Sequence, residues 1–335
     1  MVAVVGATGL VGQEMIKVLE ERRFPVSRLV PVASKRSAGK KVRFRRKAWK
    51  VFPISLDVFK NVDIALFSAG AEISRKFVPE IAAKGTIVID NTSAFRMEPG
   101  IPLVVPEVNG DRIQPHERIY ANPNCSTAQL VLVLKPIHDA ARIRRVVVST
   151  YQSVSGAGRE AVEELMKNTK AALAGKKFKP KEFTYPIAFN VIPHIDAFLP
   201  SGYTKEEMKM INETRKILGD RHIQVTATTV RVPVLIGHSE SVNIETEKRI
   251  TPADVRKLLS SMPTVKIVDE PSKNKYPTPL MAAGSDDTFV GRIRQDVSKP
   301  NGIELWIVSD NLRRGAATNA VLIAERVLLV HTPGY

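Results

Sequence analysis

Gly6-Ala7-Thr8-Gly9-Leu10-Val11-Gly12 is the stretch from which the fold is read. It follows the wholly apolar run Val2-Ala3-Val4-Val5 and opens into residues 10–21, where Leu10, Val11, Met15, Val18 and Leu19 recur at helix spacing. A G-x-x-G-x-x-G turn between a strand and a helix is a variant of the dinucleotide-binding fingerprint. Gly6 allows the tight turn, Gly9 lets a pyrophosphate approach the backbone, and Gly12 lets the helix pack on the sheet. Thr8, Leu10 and Val11 line the same turn.

Working outward, apolar runs at residues 28–33, 63–67 and 86–90 alternate with helical stretches, one of them at 72–84. That alternation predicts βαβ units and a parallel sheet covered on both faces. After residue 124 the pattern changes. Residues 145–153, 222–234, 238–247, 289–296 and 303–309 are rich in Val, Thr and Ile, and several alternate apolar with polar. They predict a mostly antiparallel sheet with one exposed or partner-facing side. Helices are expected at 158–173, 205–218 and 252–260, with a last one at 314–329. The fold class is therefore α/β: a Rossmann-type domain at 1–124, completed by the C-terminal segment 312–335, and an α+β domain at 125–311.

Two domains suit 335 residues. A single cysteine excludes an intrachain disulfide and is compatible with a reducing cytoplasm. The strand pattern at Val2 leaves no room for a signal peptide, and no run of 18 apolar residues suggests a membrane span. The net charge of +16 is unusual, with nine basic residues and no acid between Lys35 and Lys50, and a second group at 167–181. Such a surplus permits phosphate ligands, anionic substrates or nucleic acid. Neither group has interleaved aromatics, zinc-ligand pairs or a nucleic-acid motif, so most of these residues read as solvated loops.

The end of the second strand distinguishes the dinucleotides. NAD sites usually carry Asp or Glu there for the ribose hydroxyls. Here the chain reads Ala33-Ser34-Lys35-Arg36-Ser37-Ala38-Gly39-Lys40. Cations and hydroxyls suit a 2′-phosphate, so NADP(H) is expected, with Arg36 and Ser37 as first candidates.

Cys125 lies in Asn122-Pro123-Asn124-Cys125-Ser126-Thr127, and an apolar helical run follows. The prolyl turn ends the preceding strand and the Asn/Ser/Thr cluster suits a helix start. A thiol there feels the positive end of the helix dipole, which favours the nucleophilic thiolate. Most free cysteines are instead small buried hydrophobes. Asn124 either caps the helix or orients a substrate.

At this point the chain resembles the aspartate-semialdehyde dehydrogenases of the bacterial type. The motifs in family order are Gly6–Gly12, Ser37-Ala38-Gly39, Asp90-Asn91-Thr92-Ser93-Ala94-Phe95-Arg96, Asn124-Cys125-Ser126-Thr127, Gln152-Ser153-Val154-Ser155-Gly156-Ala157-Gly158, and Arg231-Val232-Pro233 leading to Gly237-His238. The resemblance implies NADPH-dependent reduction of L-aspartyl 4-phosphate to L-aspartate 4-semialdehyde with release of phosphate, a step toward lysine, methionine and threonine. It implies Cys125 as the nucleophile that forms a thioester, His238 as acid/base, and Gln152 as the residue positioning substrate or thioester. Arg231 would hold the α-carboxylate, which a guanidinium fork suits. Arg96 and Lys209 would hold phosphate, and Glu206 the substrate amine. Ser155, Gly156, Gly158 and Asn319 would approach the nicotinamide end of the cofactor. No metal site is implied. A homodimer is, with a tetramer as the other possibility. N-acetyl-γ-glutamyl-phosphate reductase shares the expected fold and thioester chemistry and is the nearest rival. A non-catalytic NADP-binding protein with a nucleic-acid surface is the reading from a different class.

Overall fold

The computed structural model describes residues 1–331, with the side chain of His331 left aside. The chain divides into two compact units: Met1–Asn124 with the segment from Ala316 onward, and Cys125–Gly315. The last four residues of the expected domain at 312–335 lie outside the described residues.

The first unit is built on a six-stranded, wholly parallel sheet. Its strand order is Phe52–Pro53, Leu29–Ala33, Val2–Val5, Ile64–Phe67, Ile87–Asp90 and Ile119–Ala121. Three central strands are buried along their whole length, because helices cover both faces. Val2–Val5 has the second strand on one side and Ile64–Phe67 on the other. The chain thus reverses direction across the sheet at this strand, and a ligand crevice opens at its carboxyl end. Gly6–Gly12 occupies that position. A Cβ at Gly6, whose φ is +88°, would lie 2.3 Å from Ser68 O, and one at Gly12 would lie 2.2 Å from Gly6 O. Both glycines are therefore required by close backbone approach.

Several elements are absent from the sequence expectation, among them the edge strands Phe52–Pro53, Ile119–Ala121 and Val265–Ile267 and a hairpin. Lys41–Phe44 and Lys47–Lys50 form an antiparallel hairpin inside the basic stretch. Its tip is Arg45-Arg46, with φ values of 48° and 62° where Asn-Gly would be usual. Arg45 donates to Val26 O and Phe24 O, so part of the basic surplus is structural.

The second unit holds a six-stranded sheet ordered Gln224–Arg231, Ile143–Gln152, His238–Thr246, Gly302–Ser309, Thr288–Gln295, Val265–Ile267. It is mixed: the two outermost pairings are parallel and the three inner ones antiparallel. The strand expected at 222–234 stops at Arg231, where Pro233 and the Gly237 turn end the ladder. Cys125–Ala141 is nearly all buried from Ser126 to Leu134 and packs on the sheet and on the helices Lys205–Leu218 and Pro252–Ser260. The expected last helix starts later, at Thr318, after a π-turn at Arg313–Ala317.

Candidate active site

Cys125 is the first residue of its helix and is half-buried. The N–H groups of a first helical turn have no intrahelical acceptor, so the sulfur sits at a site suited to negative charge. Gly315 closes against it: a Cβ there would lie 2.7 Å from Cys125 Cβ.

The sheet brings three distant residues to one edge. Gln152 and Arg231 are register partners at the carboxyl ends of parallel strands. His238 starts the neighbouring antiparallel strand, where Ser239 pairs with Tyr151. Gln152 donates through Nε2 to Ser126 Oγ at 2.9 Å and to Glu206 Oε1 at 3.2 Å. Arg231 donates to Ser153 O at 2.7 Å. Burial holds its pKa below the usual guanidinium range, against the opposing pull of Glu206 and Cys125. Gly156 stands against both partners: a Cβ there would lie 3.1 Å from Arg231 Nη1 and 3.2 Å from His238 Nε2.

His238 is fully buried, and its Nδ1 accepts from Ser153 N at 3.1 Å. Among the described residues its Nε2 has no hydrogen-bond partner. Burial first, then the Arg231 charge, push its pKa down to about 3, with Glu206 pulling the other way. The imidazole is therefore neutral at physiological pH. Other histidines are occupied differently. His138 Nδ1 accepts from Ile143 N, and His194 stacks on Phe198 with ring centroids 4.4 Å apart.

Lys209 and Glu206 share one helix face, as their spacing of three requires. Lys209 Nζ bonds Glu206 Oε2 at 3.0 Å and Asp196 Oδ2 at 2.7 Å. Burial opposes its charge, yet the two carboxylates prevail and hold its pKa above the ordinary lysine value. Two acids thus surround the lysine expected to take phosphate.

In the first unit, Arg96 is buried and donates through Nε to Asn122 O at 2.8 Å and through Nη2 to Asn91 O at 2.9 Å. Asn124 is buried at the end of the same segment. Asn319 is fully buried, and its Nδ2 donates to Val104 O at 2.9 Å and Asn122 Oδ1 at 2.6 Å. That amide nitrogen is committed to the protein interior. Around the glycine turn, Thr8 Oγ1 reaches Ser37 Oγ at 3.4 Å, and Arg36 is exposed beside it on the 3-10 turn Lys35–Ser37. Gly9 caps the helix Leu10–Glu21 without side-chain capping. This cradle, an uncapped helix N-terminus at a strand-order reversal with hydroxyls and a cation alongside, fits a phosphorylated dinucleotide. Gly158 has φ +105° and caps the helix Arg159–Leu173, so a backbone reason for this glycine stands beside the one implied by the resemblance.

Residues 1–116 match the family model "semialdehyde dehydrogenase, NAD binding domain", and residues 134–314 match "semialdehyde dehydrogenase, dimerisation domain". An aspartate-semialdehyde dehydrogenase of Aquifex aeolicus is 55% identical over 328 residues, spanning 97% of this chain and 96% of its own. The chain belongs to the aspartate-semialdehyde dehydrogenase family. A solved family member, aspartate semialdehyde dehydrogenase II of Vibrio cholerae complexed with ASA, superposes with a TM-score of 0.96 at 48% identity, covering 99% of this chain and 98% of that one. The Candida albicans enzyme, solved with NADP, is 25% identical with a TM-score of 0.75, covering 98% of each chain. N-acetyl-γ-glutamyl-phosphate reductase is not favoured by these likenesses.

Several residues of this dehydrogenase site escaped the sequence reading. Ser153 was visible only as a member of the Gln152–Gly158 motif. Asn311 and Gly315 carried no local signal, because their partners Ser153 and Cys125 are remote in the chain. Asp196 gave none either, being one acid in an irregular segment.

Proposed function

We propose that Cys125, His238, Gln152 and Arg231 carry the aspartate-semialdehyde dehydrogenase reaction of this chain, the reduction of L-aspartyl 4-phosphate to L-aspartate 4-semialdehyde and phosphate. The observation that carries the assignment is the edge shared by Gln152, Arg231 and His238, with the bare Nε2 and the guanidinium both against Gly156. The Cys125 thiolate attacks the acyl carbon and expels phosphate, leaving a thioester. His238 serves as the acid/base group, its Nε2, which has no protein partner among the described residues, being the nitrogen on the Gly156 side. Arg231 holds the α-carboxylate. That pairing offsets the cationic charge that disfavours a proton on His238, so substrate binding raises the basicity of the imidazole. Gln152 Nε2, held by Ser126 and Glu206, orients the acyl group.

NADPH, when bound, supplies the hydride. The turn Gly6–Gly12 would take its pyrophosphate, and Arg36 and Ser37 its 2′-phosphate. Arg96 and Lys209 serve the departing phosphate, and Glu206 the substrate amine. Relatives solved with ASA and with NADP support these ligands. Among the described residues no helix is long and apolar enough to cross a membrane, and a cytoplasmic setting belongs to the same reading. The open face of the second sheet, where Tyr151 and Trp306 pack with centroids 5.3 Å apart, supports a homodimer, and light scattering distinguishes it from a tetramer. The reaction is tested with aspartate semialdehyde, inorganic phosphate and NADP+, followed by NADPH absorbance. A rate independent of phosphate would refute it. Cys125→Ala turning over normally would refute the nucleophile.

A further inference from the structure

Lys209 is a cation already claimed by two acids. Its Nζ donates to Asp196 Oδ2 at 2.7 Å and to Glu206 Oε2 at 3.0 Å. One positive charge between two negative ones is a poor receiver for a phosphate, which is itself an anion. Arg231 offsets part of the Glu206 charge, since each pulls on the other. Asp196 is then the charge with which a phosphate must compete for Nζ.

The two acids are not equally held. Glu206 is the second residue of the helix Lys205–Leu218, its side chain is 7% exposed, and its Oε1 accepts from Gln152 Nε2 at 3.2 Å. A buried carboxylate engaged through both oxygens is costly to displace. The Asp196 side chain is 36% exposed, and its Oδ1 accepts only from the neighbouring Ala197 N, at 2.8 Å. Turned outward, it exchanges Lys209 for water at small cost. Its backbone stays behind. Upstream, Ile192 and Arg231 exchange N–H···O bonds of 2.9 and 2.8 Å, and downstream Ala197 O accepts from Lys205 N at 2.9 Å. Burial works against the Asp196 charge, but the Lys209 ammonium, the Ala197 N–H and the Lys205 charge outweigh it and hold its pKa below the ordinary aspartate value. The competing charge is therefore present at neutral pH.

We propose that Asp196 is a resident competitor of phosphate at Lys209, the side chain that yields the ammonium when phosphate binds and takes it back when phosphate leaves. The inference rests on the phosphate role given to Lys209 above. Two consequences follow for the reaction. Phosphate is held loosely, which suits a group that must depart once the thioester has formed. Lys209 also keeps a counter-charge throughout, so no partly buried ammonium is left unpaired.

Asp196 has φ +67°, a region that asparagine and glycine enter readily, so Asp196→Asn and Asp196→Gly remove the charge without straining the backbone. Whole enzyme is titrated calorimetrically with inorganic phosphate, and KM for phosphate is read with aspartate semialdehyde and NADP+ saturating. Both variants are expected to bind phosphate about two- to fivefold more tightly than wild type, the range set by a part-exposed ion pair. KM for phosphate falls in step, and KM for aspartate semialdehyde moves less. Phosphate affinity that is unchanged or weaker in both variants overturns the competition, and a weaker one would make Asp196 a group that places Lys209 for the anion. A gain confined to Asp196→Asn also overturns it, because a bond from the new amide to phosphate then explains the gain. Lys209→Ala separates this inference from the reading beneath it. If Lys209→Ala binds phosphate as wild type does, it is the phosphate role of Lys209 that fails. Weakened binding in Lys209→Ala with no gain in either Asp196 variant leaves that role standing and overturns the competition alone.

Discussion

Gly156→Ala adds one methyl group at the point where the site is tightest. The new Cβ would lie 3.1 Å from Arg231 Nη1 and 3.2 Å from both Cε1 and Nε2 of His238. Ordinary contact begins at about 3.5 Å, so those groups must retreat by a few tenths of an ångström. Neither is free to do so. Arg231 Nη1 is tied to Ser153 O at 2.7 Å and His238 Nδ1 to Ser153 N at 3.1 Å. Gly156 itself has no positive φ, so the backbone accepts alanine and the effect is steric alone. A misplacement of 1 Å can cost about 10²-fold in rate, and half of that about tenfold. Overpacking of this size costs about 1–3 kcal/mol of stability. The expected result is kcat lower by about ten- to a hundredfold, a raised KM for aspartate semialdehyde through Arg231, and a protein that still melts cooperatively. Steady-state assays with aspartate semialdehyde and NADP+ varied in turn, beside a thermal melt, read all three, and KM for NADP+ tests separately the cofactor contact that the resemblance implies for this glycine. An alanine variant with unchanged kcat and unchanged KM for aspartate semialdehyde would refute the packing of Arg231 and His238 on this turn.

Glu240 is fully buried, and burial raises its pKa well above 4.5, with the Gln129 side chain moderating the rise although neither carboxyl oxygen completes a hydrogen bond. The folded chain keeps a proton that the unfolded chain loses, so stability falls as pH rises above 4.5, by about 1.4 kcal/mol per unit. Glu240→Gln therefore melts higher than wild type near neutral pH, and the gap closes toward pH 4.5; an equal gap at every pH counts against a buried neutral acid. His238 acts at the other limb: its pKa is about 3 in the fold against 6.5 for a free side chain, so the unfolded chain takes the proton first and stability is lost as pH falls below 6.5. His238→Asn should flatten that loss in denaturant titrations by up to about 1.4 kcal/mol per pH unit, and an identical acid limb contradicts the neutral imidazole. Arg46, exposed with φ +62° at the hairpin tip, is strained for a residue bearing a Cβ. Arg46→Gly is expected to stabilise by roughly 1 kcal/mol or leave stability unchanged in a thermal melt, and a marked loss would show that its side chain has a structural task.

What the sequence disclosed was local. Gly6–Gly12 reads as a phosphate turn because close backbone approach admits no side chain at Gly6 or Gly12, and the apolar strands of the first unit read as parallel because both their faces are buried. The hairpin at Lys41–Lys50 was concealed by charge: its strands carry Lys and Arg on the outer face, and its tip lacks the Asn-Gly pair that marks such turns. Cys125 could be singled out by its helix-start context, but Gly315 and Asn311 could not, since each acquires its meaning from a partner remote in the chain. Lys209 and Glu206 were recognisable as neighbours on a helix, whereas Asp196, which completes the ion pair, comes from a segment without periodicity.

Strand direction was the decisive piece left out, because a period of two is the same in parallel and antiparallel strands. Alternation in 145–153 and 222–234 suggested an antiparallel sheet, and the two strands found there are parallel. Had they been antiparallel, Gln152 and Arg231 would lie at opposite ends of the sheet. The parallel pairing requires a long crossover, which the chain supplies with the helices Arg159–Leu173 and Lys205–Leu218. His238–Thr246 then runs antiparallel to Ile143–Gln152, so it begins where the latter ends. Gly302–Ser309 runs antiparallel again, pairing Ser309 with His238 and delivering Asn311 two residues later to the same edge. The helix of Cys125 is local in sequence, but Gln152, Arg231, His238 and Asn311 are neighbours only because the strands run in these directions.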